Sequence, residues 1–147
     1  MTPRHWIALT ALISGIVATY LHLWKIGLAG TLVCGGGQGC EIAQFSRFGY
    51  FLGHDVALIG AVGYALIFVV AMLGTGAARI DDAKVTMALM ALIVPAFIFT
   101  LRLKYGEFVV LKTFCPWCAI SAVTISLHMV LVFVDWKRIK RLTANGH

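Results

Sequence analysis

The chain has 147 residues, of which 61% are hydrophobic and 12% are charged, and its formal net charge is +6. Soluble domains usually carry about 25% charged and roughly 45–50% apolar residues, so this composition excludes an ordinary soluble domain. A basic chain can bind nucleic acid, but this one offers no soluble surface large enough for such a footprint. We therefore interpret its basic residues as signals of membrane topology.

Four apolar runs dominate the sequence, at residues 6–28, 56–77, 85–103 and 117–134. Each is close to the roughly 20 residues that a helix needs to cross about 30 Å of hydrocarbon. The first run is long and lacks a clear cleavage site, so we interpret it as a helix rather than a signal peptide. The four tryptophans lie at the ends of the first and fourth runs, where indole rings favour the membrane interface. They are Trp6, Trp24, Trp117 and Trp136.

These runs predict an all-α membrane protein, a four-helix transmembrane bundle that forms a single domain over residues 1–147. An outer loop at residues 29–55 joins helices 1 and 2 and contains cysteines.

The distribution of basic residues predicts the orientation, because four spans put both termini on one side. That side would hold seven basic residues: Arg4, Arg79, Lys84, Lys137, Arg138, Lys140 and Arg141. The other side would hold five: Lys25, Arg47, Arg102, Lys104 and Lys112. The positive-inside rule then puts both termini in the cytoplasm and every cysteine outside. Disulfides persist in the oxidising periplasm or its equivalent, so the placement of the cysteines agrees with this orientation of a multi-pass membrane protein.

The four cysteines form two close pairs. Cys34 and Cys40 lie in the outer loop, beside a run of glycines at 35–37 that predicts a mobile link. Cys115 and Cys118 form a Cys-x-x-Cys sequence in which Pro116 would occupy the first turn of the fourth helix. Free backbone N–H groups at a helix start favour a thiolate, so we expect a reactive pair there.

Four cysteines can also form a structural zinc site or two structural disulfides, rather than a redox relay. A structural zinc site normally uses Cys-x2–4-Cys spacings, and the spacing from Cys34 to Cys40 fits that poorly, so we predict no metal. Two inert structural disulfides are the better alternative. A short Cys-x-x-Cys bridge, however, is typical of redox-active rather than stabilising disulfides. A thiol–disulfide relay is therefore the preferred interpretation.

The relay needs an electron acceptor. The sequence has neither a dinucleotide fingerprint nor an iron–sulfur cysteine spacing. A quinone dissolved in the bilayer would fit a pocket between helices near the second pair. Cys118 would face deeper toward the lipid than Cys115. The inference is a membrane thiol oxidase that passes two electrons to a quinone.

The order of these features resembles the vitamin K epoxide reductase family, in particular its bacterial homologues. The residues that carry the resemblance are Cys34, Cys40, Ser46, the stretch Gly53–Tyr64, and FCPWC at 114–118. The resemblance covers nearly the whole chain. It departs from the vertebrate enzymes at Ala122, where they have a tyrosine, and around His54–Val56, where they have an asparagine. These departures favour plain quinone reduction over epoxide reduction.

The resemblance implies a role for each site residue. Cys34 and Cys40 would be the shuttle pair, reduced by a separate periplasmic thioredoxin-like (DsbA-like) protein. Cys115 would exchange with that pair, and Cys118 would meet the quinone, either ubiquinone or menaquinone. Ser46 and Phe114 are expected to line the quinone pocket.

Four alternatives remain open. Bacterial disulfide-bond protein B performs similar chemistry, but its Cys-x-x-Cys lies in the first outer loop. A small b-type cytochrome would use His22 and His128 as haem ligands. A transporter would need buried carboxylates, whereas all six acidic residues are expected at or outside the span ends. A non-enzymatic membrane protein with structural disulfides is the fourth.

Overall fold

The computed structural model describes residues 2–32, 34 and 38–146. The predicted mobile link at residues 35–37 lies outside them. The elements in chain order are α1 (Pro3–Lys25), α2 (Gly39–Phe45), β1 (Tyr50–Phe51), β2 (His54–Asp55), α3 (Val56–Leu73), α4 (Ala83–Tyr105), a π-helical turn (Gly106–Val110) and α5 (Pro116–Asn145).

Four helices are long and apolar enough to cross a membrane: α1, α3, α4 together with its π-helical turn, and α5. The predicted all-α transmembrane bundle is confirmed. Many large apolar side chains point outward rather than into the bundle; Ile16, Val62, Ile98 and Val123 are each more than half exposed. Large exposed apolar surfaces indicate contact with another apolar medium, which for helices of this length is lipid.

The helix boundaries differ from the apolar runs for local reasons. α1 begins at Pro3, because Thr2 caps it and proline suits the first helical position. α3 ends at Leu73 rather than at residue 77. The next residue, Gly74, is closely approached by the side chains of Arg4 and Val85, which leave no room for a Cβ atom. α5 continues beyond residue 134 to Asn145 as one helix.

The core lies where α1, α3, α4 and α5 meet. Its fully buried apolar side chains are Ile7, Ala11, Ala71, Leu89, Ile93 and Val132. Small side chains on α1 and α3 allow these two helices to approach closely, as is common between helices in membranes.

A buried arginine joins α1 to α4 and α5 at one end of the bundle. Arg4 has no solvent exposure, and its Nε donates to Asp135 Oδ2 at 2.9 Å. Its Nη2 donates to Thr86 Oγ1 at 2.9 Å, and Thr86 donates to the same Asp135 oxygen at 2.6 Å. The other guanidinium hydrogens reach the backbone oxygens of Gly74, Arg79 and Asp82. We call this set of contacts the Arg4 clamp.

The Arg4 clamp places the start of α1 and the C-terminal part of α5 at the same end of the bundle. It also corrects one prediction. Asp135 was expected at or outside the end of the last span, yet it lies within α5 and is fully buried. Its charge is tolerated there because the guanidinium pairs with it.

A second charged cluster joins the other end of α1 to the start of α3. Asp55 accepts from Lys25 Nζ at 2.8 Å and lies 2.6 Å from His22 Nδ1. It also caps α3 by accepting from the backbone N–H of Ala57. The short β1–β2 hairpin before Asp55 turns through Leu52 and Gly53, both at positive φ. We call the contacts of Asp55 the Asp55 clamp.

The Asp135→Asn substitution tests the Arg4 clamp. It leaves a buried guanidinium without its counter-charge, which costs about 3–5 kcal/mol of unfolding free energy. Asp81→Asn is the matched control, because Asp81 is 57% exposed in its ion pair with Arg138 and such pairs contribute no more than about 1 kcal/mol. Denaturant unfolding in detergent micelles measures both. Equal losses in the two variants would contradict the role of the clamp.

The pH dependence of stability tests the Asp55 clamp. Burial alone would raise the pKa of the Asp55 carboxyl, but hydrogen bonds from Lys25, His22 and Ala57 outweigh it and hold the pKa below the ordinary 3.8. This stabilisation is complete above the unfolded value and is lost as pH falls through the folded value. We therefore expect the difference in Tm between wild type and Asp55→Asn to be large near pH 6. It should shrink as pH falls below about 4. A constant difference would contradict the ionic role of Asp55.

Candidate functional site

The cysteines lie at the end of the bundle opposite the Arg4 clamp. The ring of Trp24, near the end of α1, contacts Phe45 of α2, and Tyr20 contacts Trp117 in the first turn of α5. Cys34 and Cys40 form a disulfide with their Cα atoms 6.0 Å apart. Cys115 and Cys118 are free thiols. We call them the disulfide pair and the thiol pair.

The thiol pair begins helix α5. Pro116 occupies the first turn, as predicted, and Cys115 is the N-cap residue. The Cys115 sulfur accepts the backbone N–H of Cys118 at 3.3 Å, so the sulfur takes the place of the oxygen that usually caps a helix. The helix thus supplies the free N–H groups that the sequence predicted for this pair.

The environment of Cys115 favours its thiolate. Its contact with the Cys118 side chain lowers the pKa of Cys115, and burial raises it. The Cys118 backbone N–H lowers it further, while the charges of Glu107 and Lys104 act in opposite directions. The net result is a pKa below the ordinary value for a thiol. A lowered pKa is typical of cysteines that exchange disulfides at a helix start.

Glu107 is the site residue that the sequence interpretation missed. It lies in the π-helical turn, is 96% buried, and accepts the backbone N–H of Cys115 at 2.6 Å. Its other oxygen accepts from Lys104 Nζ at 2.7 Å. Glu107 lies in the last turn of its span, in keeping with the expectation that acidic residues lie at span ends, but its burial was not predicted. A signal existed, because Glu107 is the only acidic residue between Asp82 and Asp135. Single-turn π-helices are frequent at functional sites.

The short helix α2 connects the two cysteine pairs. Cys40 and Gln44 are four residues apart on its buried face. Gln44 Nε2 donates to the Cys118 sulfur at 3.4 Å. Gly39, just before Cys40, packs so closely on the backbone oxygen of Phe114 that a Cβ atom would collide with it. The backbone beside Cys40 therefore touches the backbone beside Cys115.

A cavity of about 460 Å³ extends from the thiol pair into the bundle. Its walls come mainly from apolar side chains of α1, α3, α4 and α5. Cys118 forms part of the wall at the cysteine end of the bundle. Ser14, Tyr64 and Ser121 add hydroxyl groups deeper inside, where the Tyr64 hydroxyl lies 2.8 Å from that of Ser121. A mostly apolar cavity with a few polar groups is typical of sites for small apolar ligands.

Ser46 and Phe114 were expected in this cavity, but neither side chain lines it. The Ser46 hydroxyl donates to the Ala43 carbonyl and accepts from the Phe48 N–H. Both hydrogen bonds are local, and they hold the side chain within its own turn. The Phe114 ring points outward, is 54% exposed and packs on Phe108. Ala43 and Phe48, which lie on either side of Ser46 in the chain, line the cavity instead.

The structure does not bring His22 and His128 together as a haem site would require. His22 contacts Asp55 at one end of α1. His128 Nε2 lies 2.8 Å from the hydroxyl of Thr10, which is three turns nearer the other end of that helix.

The family model of the vitamin K epoxide reductase family matches residues 5–133, which is most of the chain and includes all four cysteines. Membership implies membrane thiol–disulfide oxidoreductase activity, and members of the family generally use quinones. A free thiol pair beside an apolar cavity, with a disulfide pair joined to it through α2, agrees with that chemistry. The predicted resemblance is confirmed, and the chain belongs to the vitamin K epoxide reductase family.

Proposed function

We propose that this protein oxidises a periplasmic thioredoxin-like (DsbA-like) partner and passes the two electrons to a membrane quinone, thereby supporting disulfide bond formation. Cys34 and Cys40 accept the electrons from the partner. Cys115 exchanges with that pair, and Cys118 meets the quinone. The protein acts in the bacterial inner membrane, with both termini in the cytoplasm and the cysteines on the periplasmic side.

The position of Cys118 carries this proposal. Cys118 belongs at once to the thiol pair and to the wall of the cavity. A ligand in the cavity can therefore reach a sulfur that can also form a disulfide with Cys115. The apolar walls suit a quinone ring and the first part of its isoprenoid tail, either ubiquinone or menaquinone.

The proposed reaction balances without a metal or a further redox cofactor. The partner's dithiol reduces the disulfide pair by thiol–disulfide exchange, and the resulting dithiol reduces a Cys115–Cys118 disulfide in the same way. The Cys115–Cys118 dithiol then forms its disulfide again. Its two electrons and the equivalent of its two protons convert the quinone to the quinol.

The Cys118→Ser substitution tests the final step. Fully reduced protein in detergent is mixed with a short-chain ubiquinone analogue, and quinol absorbance and free thiols are followed together. We expect wild type to lose two thiols per quinol, and Cys118→Ser to form none, because it lacks the sulfur at the cavity. Cys34→Ala is the matched control: with a small dithiol as reductant it should still form quinol. Quinol formation by Cys118→Ser at the wild-type rate would refute the assignment.

The Gly39→Ala substitution tests the transfer between the pairs. Fully reduced wild type should form two quinols per protein, one from the thiol pair and a second from the disulfide pair after exchange. A methyl group on Gly39 pushes α2 away from Phe114. We expect the second quinol to form roughly 10–100-fold more slowly and the first at the normal rate.

Gly30→Ala is the matched control, because an added methyl group there meets nothing within 4 Å. If Gly39→Ala formed both quinols as fast as Gly30→Ala, the Gly39–Phe114 contact would not carry the exchange.

A further inference from the structure

The cavity carries charge only at its cysteine end. Among its lining residues, all of which lie in the described part of the chain, Lys104 and Glu107 are the charged ones. Both side chains are largely buried, at 17% and 5% exposure. Charged groups at membrane depth are costly and are a functional hint by default. Their retention in an otherwise apolar cavity therefore needs an explanation.

The need to cap α5 explains why Glu107 is present but not why Lys104 is. The backbone N–H of Cys115 needs one acceptor, and Glu107 supplies it. A neutral glutamine oxygen would also serve, and it would need no ammonium beside it. Lys104 adds a positive charge that this hydrogen bond does not require.

The contacts of Lys104 leave it able to bind a ligand. Its ammonium donates to Glu107 and lies against the rings of Phe108 and Phe114, with centroids 5.4 and 6.0 Å away. Aromatic faces attract a cation through their quadrupoles and do not consume a hydrogen-bond donor in the way an oxygen acceptor does. An ammonium has three N–H donors, and the ion pair uses one of them.

A positive charge at this place favours quinone reduction. As two electrons leave the thiol pair, negative charge develops on the quinone oxygens, and each oxygen then takes a proton. A fixed cation in a site with little water stabilises such charge strongly. Lys104 and Cys118 line the same end of the cavity, so a quinone that reaches the sulfur lies beside the ammonium.

We propose that Lys104 is a catalytic residue that binds the quinone oxygen nearest Cys118 and gives it a proton, and that Glu107 positions Lys104. The Cys115–Cys118 bond forms and two electrons enter the quinone. One thiol proton restores the charge of Lys104, and the other is exchanged with solvent for the second proton of the quinol. This inference rests on the proposed quinone-dependent function.

The test compares Lys104→Gln with wild type in single-turnover reduction of the short-chain ubiquinone analogue. Loss of the charge should slow quinol formation about 100-fold. Arg102→Gln is the matched control, because it removes the same charge two residues away from an exposed side chain that does not line the cavity. It should reduce the quinone at the wild-type rate. Lys104→Arg keeps the positive charge and the pairing with Glu107, and should stay within about tenfold of wild type.

A second reaction separates catalysis from folding. The same reduced proteins are mixed with a soluble aromatic disulfide, which reacts with thiolates and needs no quinone. Lys104→Gln should react within about threefold of wild type, because thiol reactivity changes little with a modest change in pKa.

Two results would overturn the role of Lys104. One is quinone reduction by Lys104→Gln as fast as by Arg102→Gln. The other is a parallel loss of both reactions that Lys104→Arg does not restore. A different result, in which wild-type thiols react with the soluble disulfide but never with quinone, would refute the proposed function itself.

Discussion

The bundle depends on buried charges that hold α1 at both of its ends. Arg4 and Lys25 lie about 31 Å apart along the helix, which matches the thickness of the hydrocarbon layer. Between them α1 packs mainly through apolar and small side chains, apart from the hydrogen bonds of Thr10 and Ser14 to α5. Apolar surfaces specify the position of one helix along another only weakly. The Arg4 and Asp55 clamps supply that register, because sliding α1 by one turn would leave buried charges without partners. A polar contact that fixes register is the best-attested use of buried charge.

The register of α1 determines where the cysteine pairs meet. Its last turns contact α2 through Trp24 and α5 through Tyr20. Helix α2 then brings its buried face, with Cys40 and Gln44, to the thiol pair. The two pairs thus come from distant parts of the sequence, yet one short helix touches both. Residues of the same elements, such as Leu21, Gln44 and Cys118, also line the cavity.

The sequence was sufficient for features that depend on local composition. Apolar runs predicted the four spans, and Cys115-Pro-Trp-Cys118 predicted a capped helix start with free N–H groups.

Features set by distant contacts were not predictable. Asp135 was misjudged because its partner Arg4 lies 131 residues away, and α3 ends beside that same arginine, at Gly74. Ser46 and Phe114 were expected to line the cavity because of the family resemblance, but a shared motif does not determine the direction of a side chain, which depends on the local backbone. The hairpin at Leu52 was missed because a leucine at positive φ has no sequence signal.

The Arg4 clamp also bears on the order in which the protein assembles during synthesis. Arg4 belongs to α1 and Asp135 to α5, 131 residues later in the chain. Until α5 is complete, Arg4 cannot pair with Asp135, and a helix with an unpaired arginine is held near the membrane surface by the cost of burying it. The clamp therefore closes only after the part of α5 that carries Asp135 has been made. In a chain without the end of α5, Arg4 would keep only its neutral partners on α4 and in the segment before it, so its charge would remain uncompensated.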